Sequence, residues 1–103
     1  MKIQGDIAFI PVEAKNVEFE ELPDEGFVVA EGEVTGHKHV LERTKESDVE
    51  IGYDTKGQMF MRVVKGEAVI THPQHASIIF PIGDWKIIRQ REYDESGERK
   101  VQD

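Results

Sequence analysis

Cysteine is absent from all 103 residues. No disulfide framework or thiolate metal site can form, so any metal ion must be held by imidazole, carboxylate or water. Long apolar runs are missing too. No 18-residue apolar stretch exists, and the opening Met1–Asp6 lacks the apolar core of a signal peptide. The expectation is a soluble, cytoplasmic protein with no membrane association. Positive charge is scarce, with 13 Lys and Arg against 21 Asp and Glu and a formal net charge of −8. That balance disfavours a nucleic-acid partner, because phosphate binding rests on clustered cations. Phosphate-loop, dinucleotide-binding, Ser-His-Asp and zinc-finger patterns are all missing.

A 3.6-residue apolar period is also lacking, and glycine or proline interrupts the chain about every ten residues. What is present is a series of short β-rich runs. Asp6–Val12, stopped by Pro11, predicts an edge-type first strand. Val17–Glu20 alternates strictly, and Phe27–Glu31 is a compact apolar strand beyond the turn Leu22-Pro23-Asp24-Glu25-Gly26. A strand over 34–42 follows, then a polar surface loop over 43–48, a brief strand over 49–53 and a turn at Asp54-Thr55-Lys56-Gly57. The two-residue link Lys65-Gly66 between Gln58–Val64 and Glu67–Thr71 predicts a hairpin. Ser77–Phe80 and Trp85–Arg89 close the series, and a polar tail begins at about residue 94. Eight or so short strands in 1–103 predict a single all-β domain, a small barrel or sandwich. Eight carboxylates between Glu13 and Glu33 stand against Lys15 alone, a solvated acidic face.

The chemistry concentrates in four histidines that fall in two close pairs, His37-x-His39 and His72-x-x-His75. On a strand over 34–42, Thr35, His37, His39 and Leu41 share one face while Val34, Lys38 and Val40 take the other. Two imidazoles then stand roughly 6–7 Å apart along one face, a gap that a metal ion spans. His72, His75 and the first pair make a four-imidazole ligand pool suited to a borderline divalent transition metal such as zinc, iron or nickel. Glu42 is an additional candidate that joins only where the strand bends. Thr35 and Thr71 are candidates for hydroxyls behind the ligands.

These motifs resemble those of cupins, small β-barrels whose metal is held by His-x-His, a following Glu and a later His. Gly32 is one residue too close to His37, and Glu42 one too close to His39, for the first cupin motif. Pro81-Ile82-Gly83 matches the second motif, but His75 fills its glycine slot and Lys86 its histidine slot. The resemblance covers roughly residues 32–86 and implies a cupin-like roll with His72 or His75 replacing the last ligand. A second resemblance covers most of the chain. Gln4-Gly5-Asp6, Gly32-Glu33-Val34-Thr35-Gly36-His37 with His39, Thr71-His72 with His75, and Gln90-Arg91-Glu92-Tyr93 look similar to a family of small uncharacterised bacterial and phage-type proteins. It implies no activity.

The expected function is a metal-binding β-barrel. The alternatives are a structural or interaction module that forms a homo-oligomer, and a hydrolase or nuclease using imidazole as acid and base. Arg91 and Tyr93 of Gln90–Tyr93 suit a pocket or an oligomer interface. In geometric terms, His37 and His39 should face inward, and His72 or His75 should bring a nitrogen within about 5 Å of the first pair, because a buried imidazole without a partner costs roughly 1–3 kcal/mol.

Overall fold

The computed structural model describes residues 1–31 and 37–89. Ten strands run in order as β1 (Lys2–Gln4), β2 (Ile7–Val12), β3 (Glu18–Glu21), β4 (Phe27–Glu31), β5 (Lys38–Arg43), β6 (Asp48–Tyr53), β7 (Met59–Lys65), β8 (Ala68–His72), β9 (His75–Phe80) and β10 (Gly83–Arg89). No helix occurs among the described residues. The chain therefore has the all-β class that its turn-punctuated, alternating sequence predicts.

It does not close into a barrel. One sheet has the order β1-β2-β10-β7-β6-β3 and the other β4-β5-β8-β9. Both are antiparallel throughout, and their inner faces share one core in a sandwich-like arrangement. The outermost strands β1 and β3 span only three and four residues, too little to carry pairing across to the other sheet.

The core draws on both layers. Ile7 and Phe9 of β2, Met61 and Val63 of β7 and Trp85 and Ile87 of β10 meet Leu41 of β5, Ile70 of β8 and Phe80 of β9. Phe80 is the hinge of this packing. Its ring meets Phe9 edge-on at 4.9 Å and Trp85 at 5.1 Å between centroids, the arrangement that the ring quadrupoles favour.

Two local expectations are corrected. The link Lys65-Gly66 does not join a hairpin, because β7 pairs with β6 and β10 while β8 pairs with β5 and β9. Gly66 instead carries the chain from one sheet to the other at φ +74°, with Ser47 packed where a Cβ would stand. The true hairpins include β8–β9, turned at Pro73-Gln74, and β6–β7, where Asp54 Oδ1 accepts from the amides of Lys56 and Gln58. The strand around Pro11 is not an edge strand, since β2 lies between β1 and β10. Pro11 is tolerated because β1 covers only Ile7–Phe9, leaving the proline with a neighbour on one side.

On the outer face of the large sheet, the Arg62 guanidinium donates to both oxygens of Asp84, at 2.8 and 3.0 Å, and lies 4.2 Å from the Phe19 ring centroid. Asp84 also accepts from the Ala14 amide. The hydrogen bond from Arg62 holds the Asp84 carboxyl below its ordinary range, helped by the Ala14 amide and the nearby charge.

A carboxyl depressed in the folded state contributes stability above its unfolded value, and that contribution is lost as pH falls through the folded one. Asp84→Asn should therefore cost about 1 kcal/mol at neutral pH, a partly exposed pair being discounted for screening. The difference from the parent protein should shrink in urea titrations as pH falls below the ordinary carboxylate range of about 4. A gap that stayed constant down to pH ~2 would show that the charge is irrelevant. Gly52 supplies a second test. A Cβ there would overlap the Glu18 carbonyl oxygen of the paired strand. Gly52→Ala should push β3 off β6 and cost roughly 1–3 kcal/mol, read as a lower urea midpoint.

Candidate functional site

Strand alternation brings the histidines together. On β5, His39 and Leu41 are fully buried while Lys38 and Glu42 are exposed, so the His39 ring points into the sandwich. On β8, Ala68, Ile70 and His72 are buried in turn. The β5–β8 register pairs Leu41 with Ile70 and Val40 with Thr71. Carried one residue further, it sets His39 across from His72. The β8–β9 hairpin then pairs His72 with His75, after a register shift between Ile70 and His72. His37 immediately precedes β5 and is half-buried. Ring centroids lie 4.4 Å apart for His39–His72, 4.5 Å for His72–His75, 5.7 Å for His37–His72 and 6.3 Å for His39–His75. The two pairs, far apart in sequence, form one cluster.

Three further side chains organise it. Gln4, buried at the end of β1, donates its amide to the carbonyls of Ile70 and Ala76 at 3.2 and 2.8 Å. With its NH2 so engaged, Gln4 Oε1 is the acceptor towards His39 Nδ1 at 2.8 Å, which puts the neutral ring's proton on Nδ1. Asp6, also buried, holds Oδ1 at 3.8 Å from His39 Nε2, and its other oxygen accepts from Arg89 at 3.4 Å. Arg89 donates in addition to the Glu31 carbonyl at 2.7 Å. His72 is held differently: its Nδ1 accepts from the Gln74 amide at 3.0 Å. His37 Nδ1 and His75 Nε2 are buried nitrogens with no hydrogen-bond partner among the described residues.

Among the described residues, no three histidine or carboxylate side chains already surround a common point as a metal cage. Glu42 lies on the opposite face of β5, where it accepts from Thr71 Oγ1 at 3.2 Å, because β5 runs through that position without a bend. Thr71 is thereby turned away from the cluster as well. Thr35 and Gln90–Tyr93 lie outside the described residues. Among the described residues no helix is long and apolar enough to cross a membrane.

Sequence reasoning found the four histidines but missed Gln4, Asp6 and Arg89 as parts of the site. The usable signal was Gly5-Asp6, a two-residue hairpin link with Gly5 at φ +60°, which folds β1 back on β2 and sets Gln4 and Asp6 at its end.

A family model described as a domain of unknown function, DUF8820, matches residues 3–90, which include all four histidines together with Gln4, Asp6 and Arg89. No curated protein and no solved structure matches the chain. The chain belongs to the DUF8820 family.

Gln4→Ala would strip a partner from one buried imidazole, from the buried Ile70 carbonyl and from the part-buried Ala76 carbonyl. It should lower stability by about 1–3 kcal/mol in urea denaturation, with near-ultraviolet dichroism of the folded form retained. An unchanged midpoint would mean that Gln4 is dispensable to the cluster.

Proposed function

We propose that this DUF8820 protein binds a divalent transition metal ion in its histidine cluster, with His37, His39, His72 and His75 as the ligand pool. The single observation that carries this reading is the gathering of all four imidazoles at the sandwich end. A ligand histidine places its ring centre ~3.2 Å from a zinc ion, so two ligands of a tetrahedral site have ring centres roughly 5 Å apart. The four centroid separations, 4.4 to 6.3 Å, bracket that value. Two supports are independent of it. His39 is oriented through Nδ1 by Gln4, the outer hydrogen bond by which ligating histidines are commonly fixed. His37 Nδ1 and His75 Nε2 are buried, and an ion would give these nitrogens the partner that desolvation makes worth about 1–3 kcal/mol each. Binding draws the rings into a common sphere by side-chain rotation. Zinc, iron and nickel suit imidazole donors, and the chain has no thiolate to offer.

A second reading has one observation in its favour. Asp6 Oδ1, 3.8 Å from His39 Nε2, could hold that imidazole as a proton acceptor for metal-free acid–base chemistry. An activity indifferent to chelators would select it.

Protein made without a histidine tag should contain or take up close to one metal equivalent by elemental analysis. Chelator treatment should lower its melting temperature, since an ion bound to the native state alone stabilises by mass action. His37→Ala and His75→Ala, both at half-buried positions, should weaken uptake at least tenfold while the fold persists. Absence of uptake after incubation with zinc, nickel and iron would end the metal reading.

A further inference from the structure

The inner face of the large sheet changes character at its last strand. Along β6, Ile51 belongs to the buried core, and the register sets Glu20 of β3 directly across from it. Glu18 stands across from Tyr53 in the same way. Directly opposed residues share a face, so β3 projects two carboxylates from the face that carries the core further in. Both are exposed, because the smaller, four-stranded sheet leaves this margin uncovered. Between them and the core lies a cavity of about 180 Å³, walled by Pro23, Phe27, Ile51 and Tyr53 and rimmed by Glu18 and Glu20. It has room for one long side chain. Apolar and aromatic walls with carboxylates at the rim match a lysine or arginine, whose stem is apolar and whose head is cationic.

The backbone beside this cavity has a free side. Among the described residues β3 pairs with β6 alone, and the Leu22 amide donates to the Val49 carbonyl at 2.9 Å where that ladder continues. Hydrogen-bonded positions alternate in an antiparallel pair, so Phe19 and Glu21 turn their main-chain groups to the open edge. Cations that would neutralise the margin are engaged elsewhere. Lys15 lies 3.8 Å from Glu13, Arg43 pairs with Asp24 and Arg62 holds Asp84. Glu18 and Glu20 make no ion pair among the described residues. We propose that the β3 edge binds an extended basic segment of another protein, which adds as a strand beside β3 and places a Lys or Arg side chain in the cavity between Glu18 and Glu20. Strand addition draws affinity from main-chain hydrogen bonds and specificity from alternate side chains. Charge selects the occupant. A second copy would set acid against acid, since the edge reads Glu-Phe-Glu-Glu, whereas alternating cations would meet Glu18 and Glu20 across the new pair. The field of the whole chain has the same sign, at a net charge of −8. The site shares no residue with the histidine cluster and is independent of any metal there.

A capped peptide, Thr-Lys-Val-Lys-Thr, tests this against the full-length chain, with amide and methyl NMR shifts as the readout. It should bind saturably, moving the Phe19 and Glu21 amides and the Ile51 methyls while the Leu41 and Ile70 methyls stay in place. Glu18→Gln combined with Glu20→Gln should weaken binding about tenfold or more, in a protein whose far-ultraviolet dichroism matches the parent. Removing two carboxylates elsewhere, by Glu42→Gln with Glu67→Gln, should change affinity by less than about threefold. Peptides N-methylated on alternate amides should lose binding in one of the two phases, the one whose amides face β3. Four results overturn the proposal. No shifts at millimolar peptide would leave the edge without a basic partner. Equal losses from the two double variants would mean diffuse charge attraction, and undiminished binding by both N-methylated forms would exclude strand addition. A peptide-free dimer that the peptide dissociates would make a second copy the occupant.

Discussion

A polar group enters a sandwich core only with its hydrogen bonds already arranged, and here that constraint is concentrated in one carboxamide. Gln4 satisfies two backbone carbonyls of the small sheet and one imidazole, all from the last residue of a three-residue strand in the large sheet. Leaving those groups bare would cost several times the value of a typical hydrogen bond. The end of the sandwich where β1 meets β9 is therefore polar, while the middle, around Phe9, Phe80 and Trp85, is apolar apart from the buried Trp85 indole N–H. The histidines occupy the polar end. Asp6 and Arg89 extend it, linking the β1–β2 turn to the last residue of β10 and to the carbonyl of Glu31 on the opposite sheet.

Both sheets contribute to that end, but unequally. The small sheet supplies the described histidines on β5, β8 and β9, and the large sheet and its β1–β2 turn supply the residues that orient His39. Such a division suits a site in which the donors sit on rigid paired backbone. Membership of the DUF8820 family covers residues 3–90 and so takes in both contributions.

Much of this was legible in the chain. The alternation around His39 and Leu41 gave the inward face of β5, because a period of two leaves no other assignment once Leu41 is buried. The THPQH turn gave the second pair its proximity. The meeting of the pairs depended on β5 lying beside β8, and nothing local encodes which strands become neighbours. The failed hairpin at Lys65-Gly66 has the same origin: a two-residue glycine link is equally able to turn a strand back or to send it across to the facing sheet, and Ser47, nineteen positions earlier, decides which. Closure into a barrel was over-read for a related reason. A count of strands does not say whether the outermost ones are long enough to meet. Gln4 escaped notice because a glutamine among polar residues looks like surface until its partners on distant strands are known.

Gln4 is 66 residues from Ile70 and 72 from Ala76, and Asp6 is 83 from Arg89. These are among the longest loop closures the described chain contains, and closures of that span carry the largest entropic cost before any contact rewards them. The middle of the chain can pair strand by strand, through the β6–β7 and β8–β9 hairpins, with the two histidine pairs already drawn together by β5 and β8. The orienting half of the cluster arrives only when the first strand docks against the far end of the chain. The two ring tautomers therefore differ in origin: that of His72 is set within its own hairpin by the Gln74 amide, whereas that of His39 is set by Gln4 and exists only once the first strand is in place.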